Sequence, residues 1–100
     1  MKLGILVNTD KHLQDVVGLT NAALSKGHEV ILFAMDEGTR LVEDPSYTGL
    51  SKLPGVSMSV CDHSAMECHV NIEGLPETIK CGSQFNNAVM NKEADRIVIL

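Results

Sequence analysis

The chain contains five short apolar segments, and polar or turn-forming residues follow each of the first four. The segments are Lys2–Val7, Glu29–Ala34, 56–60, 78–81 and 96–100. Short runs rich in Leu, Ile and Val that end in turn chemistry are typical of buried β-strands. Strands that alternate with helical stretches favour parallel pairing through crossover connections. The pattern therefore predicts an α/β protein, a three-layer α/β/α sandwich with a five-stranded, mainly parallel sheet.

Helical spacing is clearest in the first connection, where apolar residues recur three and four positions apart between the first two strands. Thr9 or Asp10 can cap this helix, and Gly27 suits the left-handed position just after its end. A second, short helix is predicted to begin at the pair Asp44 and Pro45, because an acidic cap followed by proline is a common helix start.

The second half of the chain has a weaker pattern. A helix after Cys61 that includes Cys68 and His69 is compatible with the spacing, and residues 73–76 must form a loop. Ser83 is predicted to cap the last helix. With strand one at the centre of the sheet and the last strand also buried, almost complete burial is predicted for six apolar residues: Ile5, Val7, Ile31, Phe33, Val98 and Ile99.

Length and composition limit the function classes. One hundred residues form one domain, 1–100, and the 44% hydrophobic and 21% charged residues are ordinary for a globular protein. A net charge of −5 and only three aromatic residues argue against a nucleic-acid partner. The first apolar run is broken by Gly4 and is too short for a signal peptide or a membrane span. We therefore expect a cytoplasmic protein with no membrane partner.

Cysteine chemistry is the most informative feature. Cys61 lies where the third strand meets a helix start, at the edge of the sheet where α/β proteins bind ligands. A helix N-terminus or a nearby imidazolium lowers a cysteine pKa and favours the nucleophilic thiolate. The alternative is equally concrete, since a free cysteine often packs as a small buried hydrophobe. Cys68 and Cys81 complete an odd number at irregular spacing, so no disulfide framework is expected.

Cofactor and metal sites are the competing possibilities. Neither of the glycine-rich phosphate-binding motifs occurs, and Asp10 would repel a phosphate in the first turn, so no cofactor is expected. A Cys/His metal site remains a less favoured alternative, because five candidate ligands fall within 21 residues, although their spacing lacks the close pairs of a structural zinc site. These candidates are Cys61, His63, Cys68, His69 and Cys81.

Several short segments together resemble a known family. They are Gly27-His28-Glu29-Val30 before strand two, Asp36-Glu37-Gly38 after it, the cysteine that closes strand three, Gly82-Ser83, and Glu93-Ala94-Asp95-Arg96-Ile97-Val98. In order and spacing, the chain is similar to the DsrE/DsrF/DsrH-like proteins. The resemblance implies a compact five-stranded parallel fold, assembly into trimers or hexamers, and, in some members, sulfur relay through a cysteine persulfide at the position of Cys61.

Two functional hypotheses follow. In the first, Cys61 is the catalytic thiol of a sulfur carrier or sulfurtransferase subunit, His63 assists by charge or proton transfer, and the partners are sulfur donor and acceptor proteins. Asp62 opposes this role, because a neighbouring carboxylate raises a thiol pKa. In the second, the chain is a non-catalytic oligomeric module, as in family members without a reactive cysteine, and Cys61 is simply buried.

Overall fold

The computed structural model describes residues 1–100 and contains one five-stranded sheet. Its strands are β1 (Lys2–Val7), β2 (Glu29–Ala34), β3 (Val56–Cys61), β4 (Ile79–Gly82) and β5 (Arg96–Ile99). Its helices are α1 (Leu13–Ser25), α2 (Pro45–Thr48), α3 (Asp62–Glu67) and α4 (Gln84–Glu93), with 3₁₀ turns at Asp36–Glu43 and Gly49–Lys52. The strands lie in the order β4-β3-β2-β1-β5, and all four neighbouring pairs are parallel. The predicted α/β class is confirmed.

The order of the strands explains how the helices are distributed. From β1 to β4 the chain moves in one direction across the sheet, so right-handed crossovers put α1, α2 and α3 on one side, here called the α1 face. The connection from β4 to β5 runs the opposite way, so α4 lies alone on the other side, the α4 face. No helix is both long and apolar enough to cross a membrane.

The two faces of the sheet carry cores of very different size. The α1 face holds a cluster of seventeen buried residues, including Ile5, Leu32 and Val60 from the strands. The α4 face holds only three, Phe33, Cys61 and Met90, surrounded by partly buried apolar side chains. The candidate thiol therefore belongs to the smaller core, the one that a single helix covers.

The central strand is β2 rather than strand one, contrary to the expectation from the sequence, and β5 is an edge. Ile5, Val7 and Phe33 are fully buried as predicted, but Ile31 and Val98 are only partly buried. Ile99 is 61% exposed. Val98 and Ile99 are less buried because β5, as an edge strand, has one neighbour only. Ile31 is less buried because the single helix on the α4 face leaves a groove over the amino-terminal parts of β2 and β3.

The residues that cap the helices were predicted correctly at three helix ends and incorrectly at one. Gly27 has φ +82° after α1, Asp44 Oδ1 accepts from the Ser46 N–H at 2.8 Å, and Ser83 caps α4, all as predicted. The prediction for the start of α1 was wrong. The helix begins at Leu13, its N-cap residue is His12, and the His12 side chain makes no capping hydrogen bond. Thr9 and Asp10 lie too far upstream to cap the helix.

Two further differences concern short segments. The 3₁₀ turn Asp36–Glu43 was not predicted, because its sequence is mostly polar and begins with the turn-forming residues Asp36, Glu37 and Gly38. α3 ends at Glu67, so Cys68 only caps it and His69, with φ +58°, lies outside the helix. The helix that was expected to include both residues is therefore shorter than the spacing allowed.

Candidate functional site

Cys61 is both the last residue of β3 and the residue that precedes α3. Its side chain points to the α4 face, where it packs with Phe33 and Met90. The pairing of Cys61 with Gly82 places it beside the loop that leads into α4. Only 3% of the residue is exposed. The thiol thus lies at the carboxyl edge of the sheet, as predicted, but beneath the start of α4.

Polar groups of Ser64, His63 and Gln84 lie close enough to this buried sulfur to affect its pKa. Burial raises the pKa of Cys61, whereas hydrogen bonds from the Ser64 hydroxyl and backbone N–H, the Gln84 side chain and the His63 backbone N–H lower it. The lowering effects prevail, and the pKa lies below the ordinary value of 9.0. Donors stabilise a thiolate more than a thiol, so the arrangement favours the nucleophilic form.

The start of α4 is built so that Gln84 faces this site. Ser83 Oγ accepts from the Phe85 N–H at 3.2 Å, and the Ser83 N–H donates to Asn86 Oδ1 at 3.0 Å, which forms a capping box. A Cβ at Gly82 would lie 2.7 Å from Asn86 Cγ and would displace the amide that completes this capping box. This tight turn makes Gln84 the first residue of α4, directly after the strand that neighbours Cys61.

Gln84, Ser64 and Met35 were not identified from the sequence. Met35 follows Ala34, which pairs with Val60, so it lies next to Cys61, and its Sδ atom is 3.7 Å from Gln84 Nε2. The Ser83 cap was a visible signal for the start of α4. The signal was incomplete, because only the pairing of β3 with β4 brings that helix start to Cys61.

His63 was predicted to assist the Cys61 thiol through its imidazole, but the imidazole is not the group that affects the thiol. Its hydrogen bond to Cys61 comes from the backbone N–H, while its imidazole is 71% exposed, with Nε2 3.7 Å from Glu67 Oε1. Asp62 is exposed in the first turn of α3. The pKa of Cys61 is lowered although this carboxylate is its chain neighbour.

The other cysteines do not join this site. Cys81 pairs with Val60 in the sheet, so it lies on the α1 face, opposite to Cys61, and it is exposed. Cys68 is partly buried on the α1 face and donates its S–H to the Asp36 carbonyl at 3.3 Å. All three cysteines are free, and no three His, Cys, Asp or Glu side chains form a group that could hold a metal ion. The site is a single thiol with hydrogen-bond donors around it.

Comparison with solved structures identifies the fold. No protein-family model matches the sequence, and no curated protein matches it. The fold is similar to that of MTH1491 from Methanobacterium thermoautotrophicum, a protein of unknown function, with a TM-score of 0.77 and 13% identity over 99% of this chain and 98% of that one. It is also similar to the YchN protein of E. coli, with a TM-score of 0.69 and 13% identity over the full length of both chains. Both are small α/β proteins of the DsrE/YchN-like fold.

Proposed function

We propose that this chain is a sulfur carrier of the DsrE-like type, which holds sulfane sulfur as a persulfide on Cys61. The Cys61 thiolate attacks the outer sulfur of a donor persulfide; a new S–S bond forms, the donor S–S bond breaks, and the donor leaves as a thiolate. An acceptor thiolate then attacks the outer sulfur on Cys61 and releases Cys61 as a thiolate. Each transfer conserves electrons, so neither step needs a redox cofactor.

The observation that carries this proposal is the set of donors around Cys61. A free cysteine that packs as a small hydrophobe in apolar surroundings has a raised pKa. Here the Ser64 hydroxyl, two backbone N–H groups and Gln84 outweigh burial and lower the pKa. A persulfide anion carries its charge in the same region and accepts the same hydrogen bonds. The position of Cys61 after β3 also matches the sulfur-accepting cysteine of the family that the sequence resembles.

The proposal is tested by mass spectrometry after incubation with glutathione persulfide. A Cys68→Ser/Cys81→Ser variant is expected to gain one sulfur atom, about 32 Da, because Cys61 is its only thiol. The matched control adds Cys61→Ser and is expected to gain none. Failure of the first variant to take up sulfur contradicts the proposal. Sulfur uptake by the single variant Cys61→Ser would instead move the chemistry to Cys68 or Cys81.

The proposal extends to partners and assembly. A sulfur carrier needs donor and acceptor proteins and a compartment that keeps thiols reduced, which the cytoplasm provides. Assembly into a trimer or hexamer is supported by the exposure of Phe85 (73%) and Ile99 (61%), both on the α4 face. A groove between α4 and the amino-terminal parts of β2, β3 and β4 adjoins Phe85. Light scattering on purified protein is expected to give an oligomer, and Phe85→Asp is expected to reduce its mass; a monomer at all concentrations removes this part of the proposal.

The near-complete burial of Cys61 favours a second candidate, a non-catalytic module of the same fold. Alkylation of native Cys68→Ser/Cys81→Ser protein separates the two functions. Labelling of Cys61 by iodoacetamide in the folded state supports the sulfur carrier, whereas labelling only after unfolding supports the module. The unmodified chain, labelled in parallel, is the positive control, because its exposed Cys81 should react whichever function is correct.

A further inference from the structure

Three amide side chains lie along α4 and are joined by hydrogen bonds. The first of them lies beside the sulfur atoms of Met35 and Cys61, at the start of the helix. Asn91 Nδ2 donates to both the backbone carbonyl and the Oδ1 atom of Asn87, each at 2.8 Å. Asn87 Nδ2 donates to Gln84 Oε1 at 3.2 Å, and Gln84 Nε2 reaches Met35 Sδ at 3.7 Å. Gln84, Asn87 and Asn91 follow each other at helical spacing and therefore share one side of α4. They are called the amide chain below.

The orientation of every side chain in the amide chain follows from the backbone carbonyl oxygen of Asn87. A side-chain amide has a donating end and an accepting end and can in principle be placed either way round. A backbone carbonyl only accepts, so the bond to the Asn87 carbonyl requires Asn91 to present its NH₂ group. Asn87 must then turn Oδ1 toward Asn91 and Nδ2 toward Gln84. Gln84 in turn presents Oε1 to Asn87 and is left with Nε2 directed at the sulfur atoms.

We propose that the amide chain is a positioning device, in which Asn91 and Asn87 hold Gln84 so that Nε2 donates to the sulfur of Cys61. Met35 packs against the cluster that contains Cys61, so Nε2 is held beside that sulfur. Nε2 has two hydrogens, so the one that is not directed at Met35 Sδ is available to Cys61 Sγ. A reversed Gln84 would direct its carbonyl oxygen at the sulfur and would destabilise a thiolate or persulfide anion. The role in sulfur transfer rests on the function proposed above, whereas the effect on the thiolate does not.

Asn87→Asp tests this orientation directly. An aspartate at this position can only accept, so Gln84 is expected to reverse and donate Nε2 to it. The measurement is the ultraviolet absorbance of the Cys61 thiolate against pH, in Cys68→Ser/Cys81→Ser protein, with the Cys61→Ser form subtracted. We expect the thiolate fraction at a pH below the titration midpoint to fall about 2- to 10-fold, which is the effect of losing one hydrogen bond to the anion.

A double-mutant cycle separates orientation from charge, because the aspartate of Asn87→Asp also adds a negative charge near the thiol. In a Gln84→Ala background, Asn87→Asp retains its charge but has no Gln84 to reverse. The shift is expected to be clearly smaller there than with Gln84 present. Equal shifts in both backgrounds would mean that only the charge acts, and no shift with Gln84 present would mean that the amide is not held; either result overturns the proposal.

Failure of this proposal is distinguishable from failure of the proposed function. The thiolate titration requires no sulfur donor, so it reports on the amide chain even if Cys61 never takes up sulfur. Conversely, Cys61 can gain a sulfur atom while the two backgrounds give equal shifts, which would leave the carrier function intact and remove the amide chain from it. Far-ultraviolet circular dichroism of each variant verifies that α4 is still folded when the titration is made.

Discussion

Gly38→Ala is expected to destabilise the protein, whereas the same change at Gly18 is expected to stabilise it. Gly38 packs against β1 at the carboxyl end of the sheet, where an added Cβ would collide with the Val7 carbonyl oxygen and lie 2.6 Å from its carbonyl carbon. The obstacle is backbone in a central part of the fold and cannot move as a flexible side chain can. Gly18 is an exposed residue inside α1, and an added Cβ there meets nothing within 4 Å.

The two magnitudes follow from these environments. At Gly18, alanine gains helix propensity of about 1 kcal/mol, which corresponds to a rise in melting temperature of about 4 to 8 °C for a domain of this size. At Gly38, alanine also reduces the conformational entropy of the unfolded chain, which favours folding. This gain is outweighed, because the clash of the added Cβ with the backbone of β1 costs about 1 to 3 kcal/mol or more. Urea unfolding followed by circular dichroism gives both values. If Gly38→Ala were as stable as Gly18→Ala, the close approach of the 3₁₀ turn to β1 would be refuted.

Five further outcomes are expected. Phe33→Ala should lower the free energy of unfolding by about 3 to 5 kcal/mol in urea titrations, because Phe33 is fully buried in the smaller core; a near-neutral change would show that α4 does not cover it. Tyr47→Phe should be at least as stable as the parent at neutral pH, since the buried Tyr47 hydroxyl has no hydrogen-bond partner. Burial raises the pKa of Tyr47 above its ordinary 10.0, so the parent should lose stability above that pH and Tyr47→Phe should not. The lowered pKa of Cys61 has the opposite effect on stability: the free energy of unfolding should rise with pH up to the ordinary pKa of 9.0, and should fall as the pH drops through the pKa of the folded state. Cys61→Ser should abolish this dependence in urea midpoints measured across that range. Protein prepared without added metal should melt at the same temperature with and without EDTA, and a chelator-dependent shift together with stoichiometric zinc would contradict a metal-free site.

The strands were the most predictable part of the molecule. The bounds of β1 and β2 agree with the apolar runs, because hydrophobic patterning and turn residues are local signals. The order of the strands is not local: it depends on which faces pack together after the whole chain collapses. This is why the last strand was expected to be buried, although β5 is an edge on which Ile99 is exposed.

The candidate site shows the same difference between features set by local sequence and features set by the packing of the whole chain. Cys61 was identified because its position between a strand and a helix can be read from neighbouring residues. The positions of Cys81 and Gln84 could not be read in this way, because they depend on the register of β3 with β4. That register puts Cys81 on the opposite face and places Gln84 above the thiol. Local sequence therefore identified the candidate thiol, and only the tertiary structure identified its donors.

The lone position of α4 gives the two faces of the sheet unequal resistance to local opening. Detaching α4 disrupts the three-residue cluster around Cys61, while the seventeen-residue core beneath α1, α2 and α3 keeps its contacts. Partial openings of this kind require less free energy than global unfolding and occur repeatedly in the native state. If Cys61 is the sulfur-carrying thiol proposed above, a local opening of α4 alone would expose it, so burial of Cys61 is compatible with that proposed function.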